Sequence, residues 1–132
     1  LNDTKINVTK CQNLSNSLIA TGFPYIHDSK YDLSFEIFKE FYDSSRGVRR
    51  LGAASLDLCF VAMGRFDGFY EFGLNTWDVS AGALIVEEAQ GKISDWNKKA
   101  LPHDGYRILA TNGLIHDDMS AILTNSKYKI FF

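Results

Sequence analysis

The sequence predicts an α/β domain, with a sheet of about six short strands covered by about four helices. Three observations predict it. Short apolar or alternating runs recur along the chain, segments with helical spacing lie between them, and Gly or Pro marks most junctions. At 132 residues, the chain fits one domain that buries roughly two thirds of its unfolded surface.

Lys5 to Val8 reads as a first short strand, and Ser17 to Thr21 as a second, ended by Gly22-Phe23-Pro24. Asp28 or Ser29 suits the N-cap of a helix in which Tyr31, Phe35, Phe38 and Tyr42 recur at helical spacing, with Ile37 and Phe41 widening the stripe. Gly47 to Leu51 reads as a strand. Gly52-Ala53-Ala54-Ser55 then opens a second helix, with Leu56, Cys59, Phe60 and Met63 on one face and Gly64 as its stop. Phe66 to Phe72 alternates: Phe66, Gly68, Tyr70 and Phe72 point one way, Asp67, Phe69 and Glu71 the other. A third helix runs from about Trp77 to Gln90, stopped by Gly91. It is apolar nearly all round from Val79 to Val86 and is expected to be buried. Lys92 to Trp96 and Arg107 to Thr111 read as strands, and Leu114 to Leu123 as a last helix capped by Thr111 or Asn112.

Composition narrows the function classes. Lys and Arg total 14, Asp and Glu 16, for a net charge of −2, so no basic face is indicated and direct nucleic-acid binding is not expected. No apolar run reaches the roughly 18 residues of a membrane span. Cys11 and Cys59 have no metal-ligand spacing and read as free thiols of a reducing cytosol, which points to a cytoplasmic protein. Walker, dinucleotide, zinc-protease and nucleophile-elbow motifs are absent. His27, His103 and His116 fall in loops or at a helix start and read as surface residues.

Three features carry possible chemistry. Asp78 sits in the first turn of the apolar third helix, followed by Ser80, Ala81, Gly82 and Ala83. The helix dipole stabilises a carboxylate there, whether as a simple cap or as a metal ligand at the mouth of a site. Glu71 lies near the end of its strand, where sites on α/β sheets are built, and reads as a site residue or as an exposed strand-end glutamate. Gly52-Ala53-Ala54 forms a strand-to-helix turn of small residues. Its free N–H groups suit an anion or hydroxyl, although tight helix packing also explains it.

Taken together, Gly47-Val48-Arg49-Arg50-Leu51-Gly52-Ala53-Ala54-Ser55-Leu56-Asp57, Phe66-Asp67-Gly68-Phe69-Tyr70-Glu71 and Trp77-Asp78-Val79-Ser80-Ala81-Gly82 resemble the inositol monophosphatase family. Ile85-Val86, Glu88-Ala89 and Ala20-Thr21-Gly22-Phe23-Pro24-Tyr25 extend the likeness, which runs from about Ile6 to Leu123. The resemblance implies a layered fold with a mixed sheet of about five to six strands flanked by helices. It further implies a Mg²⁺-dependent, lithium-sensitive phosphatase for small phosphomonoesters such as inositol phosphate, and a homodimer. Residue by residue, it makes Asp78 a metal ligand that also borders the substrate, Gly52, Ala53 and Ala54 the substrate-contacting turn, and Glu71 the carboxylate for a substrate hydroxyl.

Ala53 departs from the Ser or Thr common in the family, leaving backbone contacts alone. Gln90 replaces the first Gly of a Gly-Gly pair at a helix end. The family's Glu-Glu pair and Asp-Pro-Xaa-Asp-Gly-Thr segment have no counterpart. Residues 1–132, which begin without Met, are therefore expected to be the C-terminal domain of a longer phosphatase, inactive without the N-terminal metal-binding half and without water-activating residues of their own. Two other readings stand beside this one. One is a 3′-phosphonucleotide or sugar-bisphosphate phosphatase, for which Arg49, Arg50 and Arg65 are the nearby cations, each also readable as a surface or salt-bridge residue. The other is the interaction role that some bacterial members have in transcription complexes.

Overall fold

The computed structural model describes every residue, Leu1–Phe132. Five strands form one sheet: β1 (Leu18–Thr21), β2 (Gly47–Arg49), β3 (Gly68–Phe72), β4 (Lys92–Ser94) and β5 (Arg107–Thr111), in the order β2-β1-β3-β5-β4. β1 pairs in parallel with β2 and β3, and β5 pairs antiparallel with β3 and β4. The sheet is thus mixed, and its parallel part holds the ends that matter for the site.

The helices are α1 (Ser29–Ser44), α2 (Ala54–Ala62), α3 (Thr76–Glu88) and α4 (His116–Leu123). Asp28 caps α1 by accepting from the Lys30 and Tyr31 N–H groups at 2.8 and 3.3 Å. Asn112 accepts from the Leu114 and Ile115 N–H groups ahead of α4. Two buried clusters lie on the two faces of the sheet. One joins Ile37 and Phe41 of α1 to Met119 and Leu123 of α4 and to Trp96, Tyr128 and Phe131. The other joins Leu58, Val61 and Ala62 of α2 to Val79 and Val86 of α3, against Phe69 and Ile108. Burying both faces of β3 explains why Phe69 and Tyr70 are equally sequestered.

Several expectations are corrected. Lys5–Val8 is not a strand. It crosses the sheet's edge, held by the Val8 N–H on the Ala89 carbonyl at 3.1 Å and, beyond it, by Thr9 Oγ1 donating to Asp67 Oδ1 at 2.6 Å. That loss gives five strands in place of six. Phe66 joins the α2–α3 cluster with Phe69 rather than the Tyr70 face, because it precedes the strand. In α1 the core-facing residues are Ser34, Ile37 and Phe41. The Tyr31, Phe35, Phe38, Tyr42 row faces outward instead and stacks on the preceding loop: Phe23 on Phe35 at 4.6 Å and His27 on Tyr31 at 3.9 Å. In α2 the core face is Asp57, Leu58, Val61 and Ala62, while Leu56 is exposed. In α3, Val79, Gly82, Ala83 and Val86 are buried, but Trp77, Leu84 and Ile85 are exposed. The helix is therefore covered on one side.

Candidate active site

Three parallel strands end side by side, and their following loops converge. Gly22–Tyr25 after β1, Arg50–Ala53 after β2 and Gly73–Asn75 after β3 line a cavity of about 330 Å³ with Ala54, Ser55, Glu71 and Asp78. Ligand sites of α/β sheets form at such carboxyl ends, where the loops leave backbone groups unpaired. Every site residue expected from sequence is in this one cavity: Gly52, Ala53, Ala54, Glu71 and Asp78.

The turn before α2 is shaped by Gly52, whose φ of +87° favours a residue without Cβ. Ala53 is the N-cap of α2 but makes no side-chain cap bond. The first N–H groups of α2 are therefore left for an external acceptor.

Glu71 is the penultimate residue of β3. Its carboxylate lies directly against the Gly22 backbone, where any Cβ would collide with it. A glycine on the neighbouring strand's loop is thus what makes room for the site's glutamate. Burial pushes the Glu71 carboxyl up to about 8; the Asp57 and Asp78 charges add to this, and Arg50 opposes it. An ionised, accept-only Glu71 is the sequence-based picture. In this environment it is protonated at neutral pH and also donates one hydrogen bond.

Asp78 is both a cap and a cavity residue. Its Oδ2 accepts from the Asn75 N–H at 2.9 Å and from Asn75 Nδ2 at 3.4 Å, which leaves Oδ1 uncommitted on the cavity side. No three His, Cys, Asp or Glu side chains gather closely enough to hold a metal ion between them. Mg²⁺ takes about six oxygens, so the residues present do not make its shell; Asp78 offers a single oxygen toward one.

Two further residues belong to the site without having been expected there as ligands. Asp57 is 1% exposed with Oδ1 unpartnered. Burial raises its carboxyl to about 6, against the pull of Arg50. The sequence signal was available: Asp57 shares its helical face with Leu58 and Val61, an acid on a core stripe. Arg50 lines the cavity, and the ion pairs of the chain, Lys39–Asp43, Lys98–Asp117 and Lys127–Glu40, do not include it. It serves as the cation that tempers the two raised carboxyls. Arg49 instead donates to the Val48 carbonyl at 3.0 Å, and Arg65 lies over the Phe60 ring. Asp67 is structural, accepting from Thr9 and from the Leu18 N–H.

His27 and His103 are exposed as expected, but His116 is fully buried. Its Nε2 is 2.8 Å from Ser94 Oγ and its Nδ1 2.9 Å from Thr111 Oγ1. Ser94 Oγ already donates to the Asp95 carbonyl at 2.5 Å. Ser94 therefore accepts from Nε2–H, and Thr111 donates to Nδ1. Burial and Lys92 hold this imidazole neutral, its pKa lowered to about 4.

The family model described as inositol monophosphatase family matches residues 1–128. The chain is 45% identical over 124 residues to a putative Nus factor SuhB of Neisseria meningitidis serogroup B, covering 94% of this chain and 48% of that protein. It is 44% identical over 115 residues to the chloroplastic phosphatase IMPL1 of Arabidopsis thaliana, covering 87% of this chain and 31% of that one. Among solved structures, the inositol monophosphatase from Anabaena (Nostoc) sp. PCC 7120 superposes with a TM-score of 0.84 at 43% identity, over 92% of this chain and 48% of that one. The chain thus spans half or less of the length of these relatives. The mixed sheet, the cavity at its parallel ends and these likenesses agree, and the chain belongs to the inositol monophosphatase family.

Proposed function

We propose that this chain is one wall of a Mg²⁺-dependent phosphomonoesterase acting on inositol phosphate or a similar small polyol phosphate. The observation that carries the reading is the meeting of Glu71, Asp78 and the Gly52–Ala54 turn in one cavity. Glu71 holds a substrate hydroxyl, the α2 N–H groups hold the alcohol part, and Asp78 gives its free oxygen to the metal site. The other ligands, and the residues that activate water, come from a second half of the family's length. Its place is the bare outer face of α2 and α3, where Leu56, Trp77 and Leu84 are more than half exposed. Bound Mg²⁺ supplies charge neutralisation at the phosphate and a more acidic water. Lithium sensitivity, a cytoplasmic location and a homodimer belong to the same proposal; no helix of the chain is long and apolar enough to cross a membrane.

The test is phosphate release from inositol 1-phosphate at millimolar Mg²⁺. The chain alone is expected to give none, and the chain joined to the remaining half is expected to turn over. Asp78→Asn in the joined enzyme is expected to lower activity by orders of magnitude and raise the Mg²⁺ requirement. Its melting temperature is expected to change little, because Asn is itself a good cap. Turnover by the chain alone would sink the proposal.

A second reading, a partner in transcription complexes, is favoured by the relative named a putative Nus factor. Its test is capture of transcription factors by a joined enzyme whose activity has been removed by Asp78→Asn.

A further inference from the structure

A second cavity of about 270 Å³ opens beside the first. The two share Pro24, Tyr25, Phe72 and Gly73, so they lie on either side of one wall. The first is lined by the carboxylates Glu71 and Asp78 with Arg50. The second is apolar and aromatic, except for Lys30, Asp28 and the Tyr106 hydroxyl.

The hydrogen bonds of this second cavity leave donors in excess. Lys30 Nζ donates to Tyr106 Oη at 3.1 Å and sits 5.2 Å from the centre of the Tyr106 ring. An ammonium has three N–H donors, so two remain, and a phenol that accepts from it keeps its own O–H to donate. Lys30 is absent from the chain's ion pairs. Asp28, the cavity's carboxylate, already uses Oδ1 on the Lys30 and Tyr31 N–H groups. Lys30 is held by an aromatic ring rather than by an acid, with its free donors and that of Tyr106 side by side.

We propose that this cavity is a distal subsite for a second anionic group on the alcohol part of the substrate, bound by Lys30 and Tyr106. The proposal rests on the phosphomonoesterase reading. It selects, within it, alcohols long enough to pass the Pro24–Gly73 wall and carrying a second phosphate. Glu71 disfavours that phosphate in the first cavity through like-charge repulsion whenever it is ionised. The wall separates the second phosphate from it.

The experiment compares two probes that differ by one phosphate, adenosine 3′,5′-bisphosphate and adenosine 3′-phosphate, binding to the 132-residue chain by calorimetry. A charge-assisted hydrogen bond corresponds to about tenfold or more in affinity. The bisphosphate is expected to bind at least about tenfold tighter, with a gap that shrinks as salt rises. Lys30→Met is expected to bring the two probes to within about twofold, and Tyr106→Phe to narrow the gap by less. Circular dichroism confirms that both variants are folded; should Lys30→Met unfold, Tyr106→Phe decides. Equal affinities in the wild type, or a gap that both folded variants retain, would overturn the subsite. Because binding needs no turnover, this result stands apart from phosphate release, whose failure would count against the phosphomonoesterase reading instead.

Discussion

At the scale of single residues, the site is electrostatically costly. The Glu71 carboxyl moves from an ordinary 4.5 to about 8 on folding. Between those values the unfolded chain has released a proton that the folded chain keeps, so stability falls as pH rises from about 4.5 to 8. His116 acts with the opposite sign. Its imidazole goes from 6.5 to about 4, so stability falls as pH drops from about 6.5 to 4, where the unfolded chain takes up a proton that the Ser94 and Thr111 bonds deny the folded one. The chain is expected to be most stable between these limits. Glu71→Gln is expected to raise stability at pH 8 by at least about 1 kcal/mol, since each tenfold change in a proton-binding constant corresponds to about 1.4 kcal/mol. Below pH 4.5 the gain is expected to vanish. Urea midpoints measured from pH 4 to 8 check this, and parallel curves for wild type and variant would show that Glu71 is not held protonated. His116 also shows why parts of the structure were illegible in the sequence. Its partners Ser94 and Thr111 sit on two other elements, and its burial comes from strands that meet only in the fold.

At the scale of elements, patterns that depend on local spacing were readable and patterns that depend on what covers a face were not. The Asp28 cap, the Gly64 stop and the β5 strand are local, and each stands where the spacing puts it. The outward aromatic row of α1 was not, because rings that clamp the Phe23–His27 loop have the same periodicity as rings in a core. The end of α3 lies between these cases. Gly91 was the expected stop, yet the left-handed residue is Gln90, at φ +69°. An L side chain in that region costs roughly 1–2 kcal/mol, which glycine avoids at some cost in unfolded-state entropy. Gln90→Gly is therefore expected to stabilise the chain by about 0.5–1 kcal/mol, read as a rise of a few degrees in melting temperature. An unchanged or lower melting temperature would mean that the Gln90 side chain has contacts that outweigh the backbone strain.

At the scale of the whole molecule, the one disagreement between pattern and structure that matters most is α3. Its sequence is apolar nearly all round, yet Trp77 is 79% and Leu84 58% exposed, beside Leu56 of α2 at 55%. A contiguous apolar face of this kind marks a surface that another layer covers. The site points the same way, because Asp78 leaves the first turn of this helix and brings one oxygen to a centre that requires several. A charge placed mid-face distinguishes the two demands. Leu84→Lys removes no buried contact within the chain, so its stability is expected to stay within the range of about 0.5 kcal/mol usual for surface substitutions. Against the second half, the same ammonium is desolvated without a partner, which costs several kcal/mol. Association of the two halves, followed by light scattering or co-purification, is expected to be lost, and phosphate release with it. A Leu84→Lys chain that still assembles and turns over normally would place the second half on another face.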